Sequence, residues 1–297
     1  MGDLDFLQDF IMKKQQESWT LLKVLNWTKG YLAEKGVENS RLESEWILCA
    51  ALVMDRVGLY LNFDKPLSPS ELSSVREMVA RRARREPLQY ILGSQEFMGY
   101  EFEVCPGVLI PRDDTGTLVE SALKRCPDAK RVLDIGVGSG CITIALAGSL
   151  PDAEITGVDK SAEALALAEK NAKRNGIVIS LLAGSLFEPV HGRKFDLIVS
   201  NPPYIPSADI ATLQPEVRDF EPMEALDGGP DGLYFYRTII PAAPEYLHGG
   251  GWLMFEVGIN QAPQVLGLFE DTGCYGELFT ARDACGIERV VGGRLGL

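Results

Sequence analysis

The chain of 297 residues has only two histidines, His191 and His248, and its six cysteines (Cys49, Cys105, Cys126, Cys141, Cys274 and Cys285) form no C-x-x-C pair. So few and so scattered ligands argue against a zinc site and against a disulfide framework, which fits a reducing compartment. The first thirty residues lack a basic segment followed by an unbroken apolar stretch, so no secretory leader is expected. Apolar runs such as WILCAALVM are too short to span a bilayer. There is no internal repeat and no low-complexity tract. What remains is a cytoplasmic protein with neither metal nor membrane, and 46% hydrophobic content over this length suffices for two domain cores.

Positive charge is also short, and unevenly so. Up to Tyr90 there are 13 Lys and Arg against 13 Asp and Glu; from Ile91 onward the counts are 16 against 29, which carries the whole net charge of −13. An acidic second part matches a nucleic-acid backbone poorly and a basic protein partner well. The one basic run, ARRARRE at 80–86, closes a helix, where cations are favourable.

The first ninety residues read as helices. SRLE (Ser40 to Glu43) is a capping box ahead of the run Leu42, Trp46, Cys49, Ala50 and Val53; SPSE (Ser68 to Glu71) is a second, with Pro69 at the first helical position. Leu72, Val75, Met78 and Val79 form the stripe of a helix ending before Pro87. This helical part, residues 1–87, is a docking module or a structural cap. EFMGYEFEVCPGVLI (96–110) has the punctuation of a β-hairpin, giving a linker over 88–112. From Arg131, strands (RVLDIGV, AEITGVD, ISLLAG, FDLIVS, GGWLMFEVG) alternate with helices, and GELFTAR and ERVVGGRL follow in succession. That pattern predicts an α/β domain over 113–297: a mostly parallel sheet with an antiparallel hairpin at one edge.

Within it, LDIGVGSG puts Asp134, Gly136, Gly138 and Gly140 at a strand-to-helix turn, where backbone can approach a ligand closely. Asp159 ends the next strand 25 residues later and can accept ribose hydroxyls; the competing helix-cap role falls to Ser161. Both carboxylates are expected at the ligand-facing edge. SNPPYI ends a further strand with Asn201, Pro202, Pro203 and Tyr204. The Asn201 side-chain oxygen and the Pro202 carbonyl can each take one hydrogen of a planar NH₂ group, with Tyr204 packed against it. No His or Cys lies nearby in sequence, so positioning and polarisation are the available catalysis. A plain strand-terminating turn is the bland alternative.

These stretches, with EFMGYEF, LIPRDDT, FEPMEAL and GGPDGL, resemble the HemK-type release-factor glutamine methyltransferases. The resemblance implies a Rossmann-like class I methyltransferase sheet of seven strands, with S-adenosylmethionine as donor and S-adenosylhomocysteine as product. It implies methylation of the side-chain amide nitrogen of the glutamine in the GGQ loop of class I peptide release factors; the chain is expected to be monomeric. Gly136, Val137, Gly138, Ser139, Gly140, Asp159, Leu186 and Asn201 would then contact the cofactor, and Asn201, Pro202, Pro203 and Tyr204 the glutamine. Two positions depart from the family: Gly116 and Ser185 stand where acidic residues are usual. Rival readings are a ribosomal-protein glutamine, adenine N6-methylation of nucleic acid, which the −13 charge opposes, and a non-enzymatic cofactor-binding assembly protein.

Overall fold

Residues 19–297 are described by the computed structural model, and the chain falls into two units, the first ending at Leu92 and the second running from Gly93 to Leu297. Helices α1 (Leu21–Glu34), α2 (Ser40–Leu52), α3 (Arg56–Leu61), α4 (Pro69–Ala83) and α5 (Leu88–Leu92) build the described part of the first. Their core joins Leu21, Leu32, Ile47, Leu48, Leu59, Val75 and Val79. The Ser68–Glu71 capping box forms, with Pro69 inside it.

The expected box at Ser40 does not. Asn39 precedes α2 and Ser40 is already helical, its carbonyl taken by the Ser44 hydroxyl at 2.6 Å. The run read there is also largely outward: Leu42 and Trp46 are 43% exposed and Val53, a left-handed C-cap, is 92% exposed. The buried face carries Ser44, Glu45, Ile47 and Leu48, and of the expected run only Cys49. Glu45 is tolerated inside because Arg41, Arg56 and Tyr60 all bond its carboxylate.

The second unit opens with a hairpin of β1 (Ser94–Phe97) and β2 (Tyr100–Glu103) around Met98 and Gly99, both at positive φ. A strap over 104–112, with a turn at Pro106 and Gly107, leads to α6 (Gly116–Arg125). Then come β3 (Arg131–Ile135), α7 (Cys141–Ser149), β4 (Glu154–Asp159), α8 (Ala162–Arg174), β5 (Ser180–Ala183) and β6 (Phe195–Ser200). After a long loop containing α9 (Pro215–Phe220), the chain forms α10 (Tyr234–Ala242), β7 (Leu247–Glu256), α11 (Ala262–Thr272), β8 (Tyr275–Arg282) and β9 (Glu288–Leu295).

The seven-stranded sheet runs β5-β4-β3-β6-β7-β9-β8. It is parallel from β5 to β7, while β9 pairs antiparallel with β7 and with the edge strand β8. Alternation along β7 divides the core cleanly. Trp252 and Met254 face one cluster with Leu118, Ile144 and the hairpin's Phe102, while Leu253 and Phe255 face the other with Tyr236, Ile239 and Phe269. Covering both faces at about 1.5–3 kcal/mol per large side chain explains why the central strands read as nearly unbroken apolar runs.

Candidate active site

Along one edge of the sheet the parallel strands β3, β4, β6 and β7 carry polar residues at or next to their carboxyl ends: Asp134, Asp159, Asn201 and Glu256. A cleft of about 720 Å³ opens there, walled by the strap from Gly107 to Arg112, the turn after β3, Asp159, Leu186 and Asn201 to Pro203. Order reversal between β4-β3 and β3-β6 places it at the crevice where doubly wound sheets bind ligands.

The turn after β3 holds Gly136, Gly138 and Gly140 at φ of 84°, 54° and 86°. A Cβ at Gly140 would lie 3.1 Å from Ala168 Cβ, so only glycine lets α7 start this close to α8. Gly140 therefore sits behind the wall that Gly136, Val137, Gly138 and Ser139 line. Asp159 holds the turn: its two oxygens accept the Gly138 and Ser161 N–H groups, each at 2.9 Å. A carboxylate has roughly four acceptor sites, so capacity remains for two hydroxyls. Ser161 caps α8 by accepting the Ala164 N–H at 3.1 Å. Leu186, at φ 50°, lines the cleft beside Ser185, whose N–H reaches Glu188 at 3.2 Å.

The expectation that Asp134 faces the ligand needs correction. It is fully buried and lines no part of the cleft, because α7 covers it and Thr143 donates to its Oδ2 at 2.5 Å. Its Oδ1 has no partner, and burial, with the nearby charge of Asp159, pushes its pKa to about 7.

Asn201 Nδ2 donates to Thr115 Oγ1 at 3.3 Å, which leaves Oδ1 as the acceptor end of the amide. Among the described residues no backbone N–H reaches the Pro202 carbonyl. Tyr204 does not line the cleft with them. Its hydroxyl lies 3.3 Å from Glu256 Oε1, and its carbonyl accepts Gln261 Nε2 at 2.8 Å. Burial pushes the phenol well above its ordinary pKa, so it stays a donor. The loop after it folds back tightly: Ile205 pairs with Asp227, and a Cβ on Gly232 would come 2.2 Å from the Tyr204 carbonyl. That contact accounts for Gly232 of GGPDGL.

Sequence reading missed three participants. Glu256 is 2% exposed with Oε2 unpartnered; burial raises its pKa to about 7 against the opposing pull of Thr115, Arg289 and Tyr204. Arg112 of LIPR, on the cleft wall, is ion-paired with the buried Glu221 of FEP, which ties two motifs together across 109 residues. Asn171 of α8 bonds the turn and the hairpin at once. Glu256 could have been found by the rule that picked Asp159, a polar residue ending an apolar strand. Of the two family departures, Gly116 starts α6 with ordinary space for a Cβ, 3.8 Å from Met98, and Ser185 lies on the cleft.

The sheet order and its ligand edge define the α/β methyltransferase fold, which a solved methyltransferase from Pyrococcus furiosus shares at TM-score 0.51 and 19% identity, covering 73% of this chain and 99% of that one. Residues 23–93 match the family described as PrmC N-terminal domain, and 110–214 the methyltransferase small domain. A release factor glutamine methyltransferase of Geobacter sulfurreducens is 65% identical over 285 residues, 96% of this chain and 100% of that protein. One of Chlorobaculum tepidum is 40% identical over 267 residues, covering 86% and 90%. The chain belongs to the release factor glutamine methyltransferase family. Among the described residues no helix is long and apolar enough to cross a membrane.

Proposed function

We propose that the chain methylates the side-chain amide nitrogen of the GGQ glutamine of class I release factors in the cytoplasm, with S-adenosylmethionine as donor. The observation that carries this is the meeting of Asn201, Pro202 and Pro203 with Asp159 and the glycine turn on one cleft. The donor set fits a nucleoside: Asp159 has acceptor capacity left, and the positive-φ turn exposes backbone to the cleft. When bound, the cofactor supplies an electrophilic methyl group on its sulfonium. Gly136 to Ser139 and Asp159 would hold it, with Leu186 against the adenine.

Asn201 Oδ1 and the Pro202 carbonyl would each accept one hydrogen of the glutamine NH₂. Holding both hydrogens presents a face of the nitrogen to the methyl group and raises its electron density, which an amide needs because its lone pair is delocalised. As the N–CH₃ bond forms, the S–CH₃ bond would break to leave S-adenosylhomocysteine, and one N–H proton would pass to water, giving N5-methylglutamine. Tyr204, anchored by Glu256 and Gln261, would keep the turn rigid. The test is labelled-methyl transfer onto purified release factors, ribosomal proteins and DNA side by side. Label on the release-factor GGQ glutamine is expected; label confined to another substrate overturns the assignment.

A further inference from the structure

Two asparagines four residues apart, Asn171 in α8 and Asn175 at its C-cap, hold the hairpin as a neighbouring strand would. Asn171 Oδ1 accepts the Glu103 N–H at 2.7 Å, and its Nδ2 donates to the Glu103 carbonyl at 3.1 Å. Asn175 does the same to Glu101, accepting at 3.3 Å and donating at 2.9 Å. Side chains four apart on a helix are about 5–6 Å apart, close to the spacing of alternate residues on a strand, so the two carboxamides complete the hydrogen bonds of β2. Lys170 pairs with Glu103 at 2.5 Å and Arg174 with Glu101 at 2.6 Å, which reinforces the register.

Asn171 does one thing more. It is fully buried, and Nδ2 also donates to the Ser139 carbonyl, in the glycine turn, at 2.9 Å. One carboxamide thus joins the turn to β2, and β2 leads directly into the strap whose Val108 packs on Ala164 and Leu167 and whose Gly107 to Arg112 line the cleft. Asn175 lacks any bond to the turn: its second donor contact is the Asn171 carbonyl. Docking the hairpin alone would need no bridge to Ser139.

Resting on the cofactor reading above, we infer that Asn171 is a positioning residue that locks the glycine turn and the hairpin-strap into one unit, so that cofactor occupancy and hairpin order are energetically linked. Linkage is reciprocal: what the cofactor does to the hairpin, loosening the hairpin at Asn171 does to the cofactor.

The experiment is amide hydrogen exchange of the full chain with and without saturating S-adenosylhomocysteine, together with calorimetry of its binding. In the wild type, the Glu103 amide is expected to exchange more slowly when the ligand is bound, by about fivefold or more. Asn175→Ala should speed exchange at Glu101 while keeping both the response at Glu103 and the ligand affinity. Asn171→Ala should abolish the response at Glu103 and weaken binding by about tenfold. Binding to the wild type without added protection at Glu103 overturns the linkage alone, whether or not Asn171→Ala folds. No binding to the wild type overturns the cofactor reading and the linkage with it. Equal loss of affinity in the Asn175 and Asn171 variants would reduce both residues to hairpin docking.

Discussion

Glu256 shows how much one residue at a strand tip is asked to do. Its carboxyl is 2% exposed with a pKa pushed to about 7, above the ordinary carboxylate range. A pKa raised in the folded state contributes stability below the unfolded value, and that contribution is lost as pH rises through the folded value. Glu256→Gln should therefore gain stability relative to wild type between about pH 5 and pH 8, approaching about 3 kcal/mol at the upper end. Denaturant unfolding at both pH values measures it, and a pH-independent difference would refute the raised pKa. Asn201→Ala should fold normally, since the residue sits after β6 on the cleft wall, and lose roughly 10²-fold in methyl transfer, the scale of one preorganised partner. Full activity under saturating substrates would sink the Asn201 mechanism. Asp159→Ala should weaken S-adenosylmethionine binding by about 1.5–3 kcal/mol through lost charge-assisted bonds and a loosened Gly138 N–H. Unchanged affinity by calorimetry would remove the ribose assignment.

Among elements, the loop between β6 and α10 is the one whose shape the sequence least suggested. SNPPYI announced an abrupt strand end, but the return of GGPDGL onto it is a long-range contact. Gly232, at φ 75°, leaves no room for a Cβ beside the Tyr204 carbonyl, and Gly228 would meet Pro203 oxygen at 2.8 Å. Gly232→Ala should thus displace the Asn201–Tyr204 turn, costing at least about 1 kcal/mol in stability for the left-handed backbone alone. Methyl transfer should fall more steeply than cofactor affinity, because the glycine turn after β3 is untouched. Paired calorimetry and rate measurements check this; a parallel fall in both would mean general unfolding. By contrast, the strands and helices from β3 to β9 were legible from periodicity, capping residues and glycine punctuation. The α2 stripe was misread because the partners that make Glu45 burial acceptable come from α3.

At the scale of the whole molecule, charge and acceptor chemistry meet. The unit ending at Leu92 is neutral and the one from Gly93 carries the −13. A short GGQ peptide could reach the Asn201 turn, but it brings little remote binding energy to fix the amide in line with the methyl group. Full-length release factor should therefore be methylated far faster than a GGQ peptide. Added salt should slow the protein reaction more than the peptide reaction, because steering between an acidic enzyme and a basic partner is screened. Removing the first unit should narrow the preference for the protein while leaving cofactor binding largely intact. If the shortened enzyme treats release factor as the full chain does, the docking role of the helical unit is wrong.

The sequence by itself determined the order of elements, the polar tips Asp159 and Asn201, and the turn chemistry that ends the strands, because these depend on residues within a few positions of one another. Tertiary structure alone decided which polar groups share a neighbourhood: Arg112 with Glu221, Tyr204 with Glu256, Asn171 with both Ser139 and Glu103. It also turned Asp134 inward, away from the cleft that its neighbours line. A buried polar group must find partners wherever the packed chain brings them, and sequence distance carries no record of that proximity.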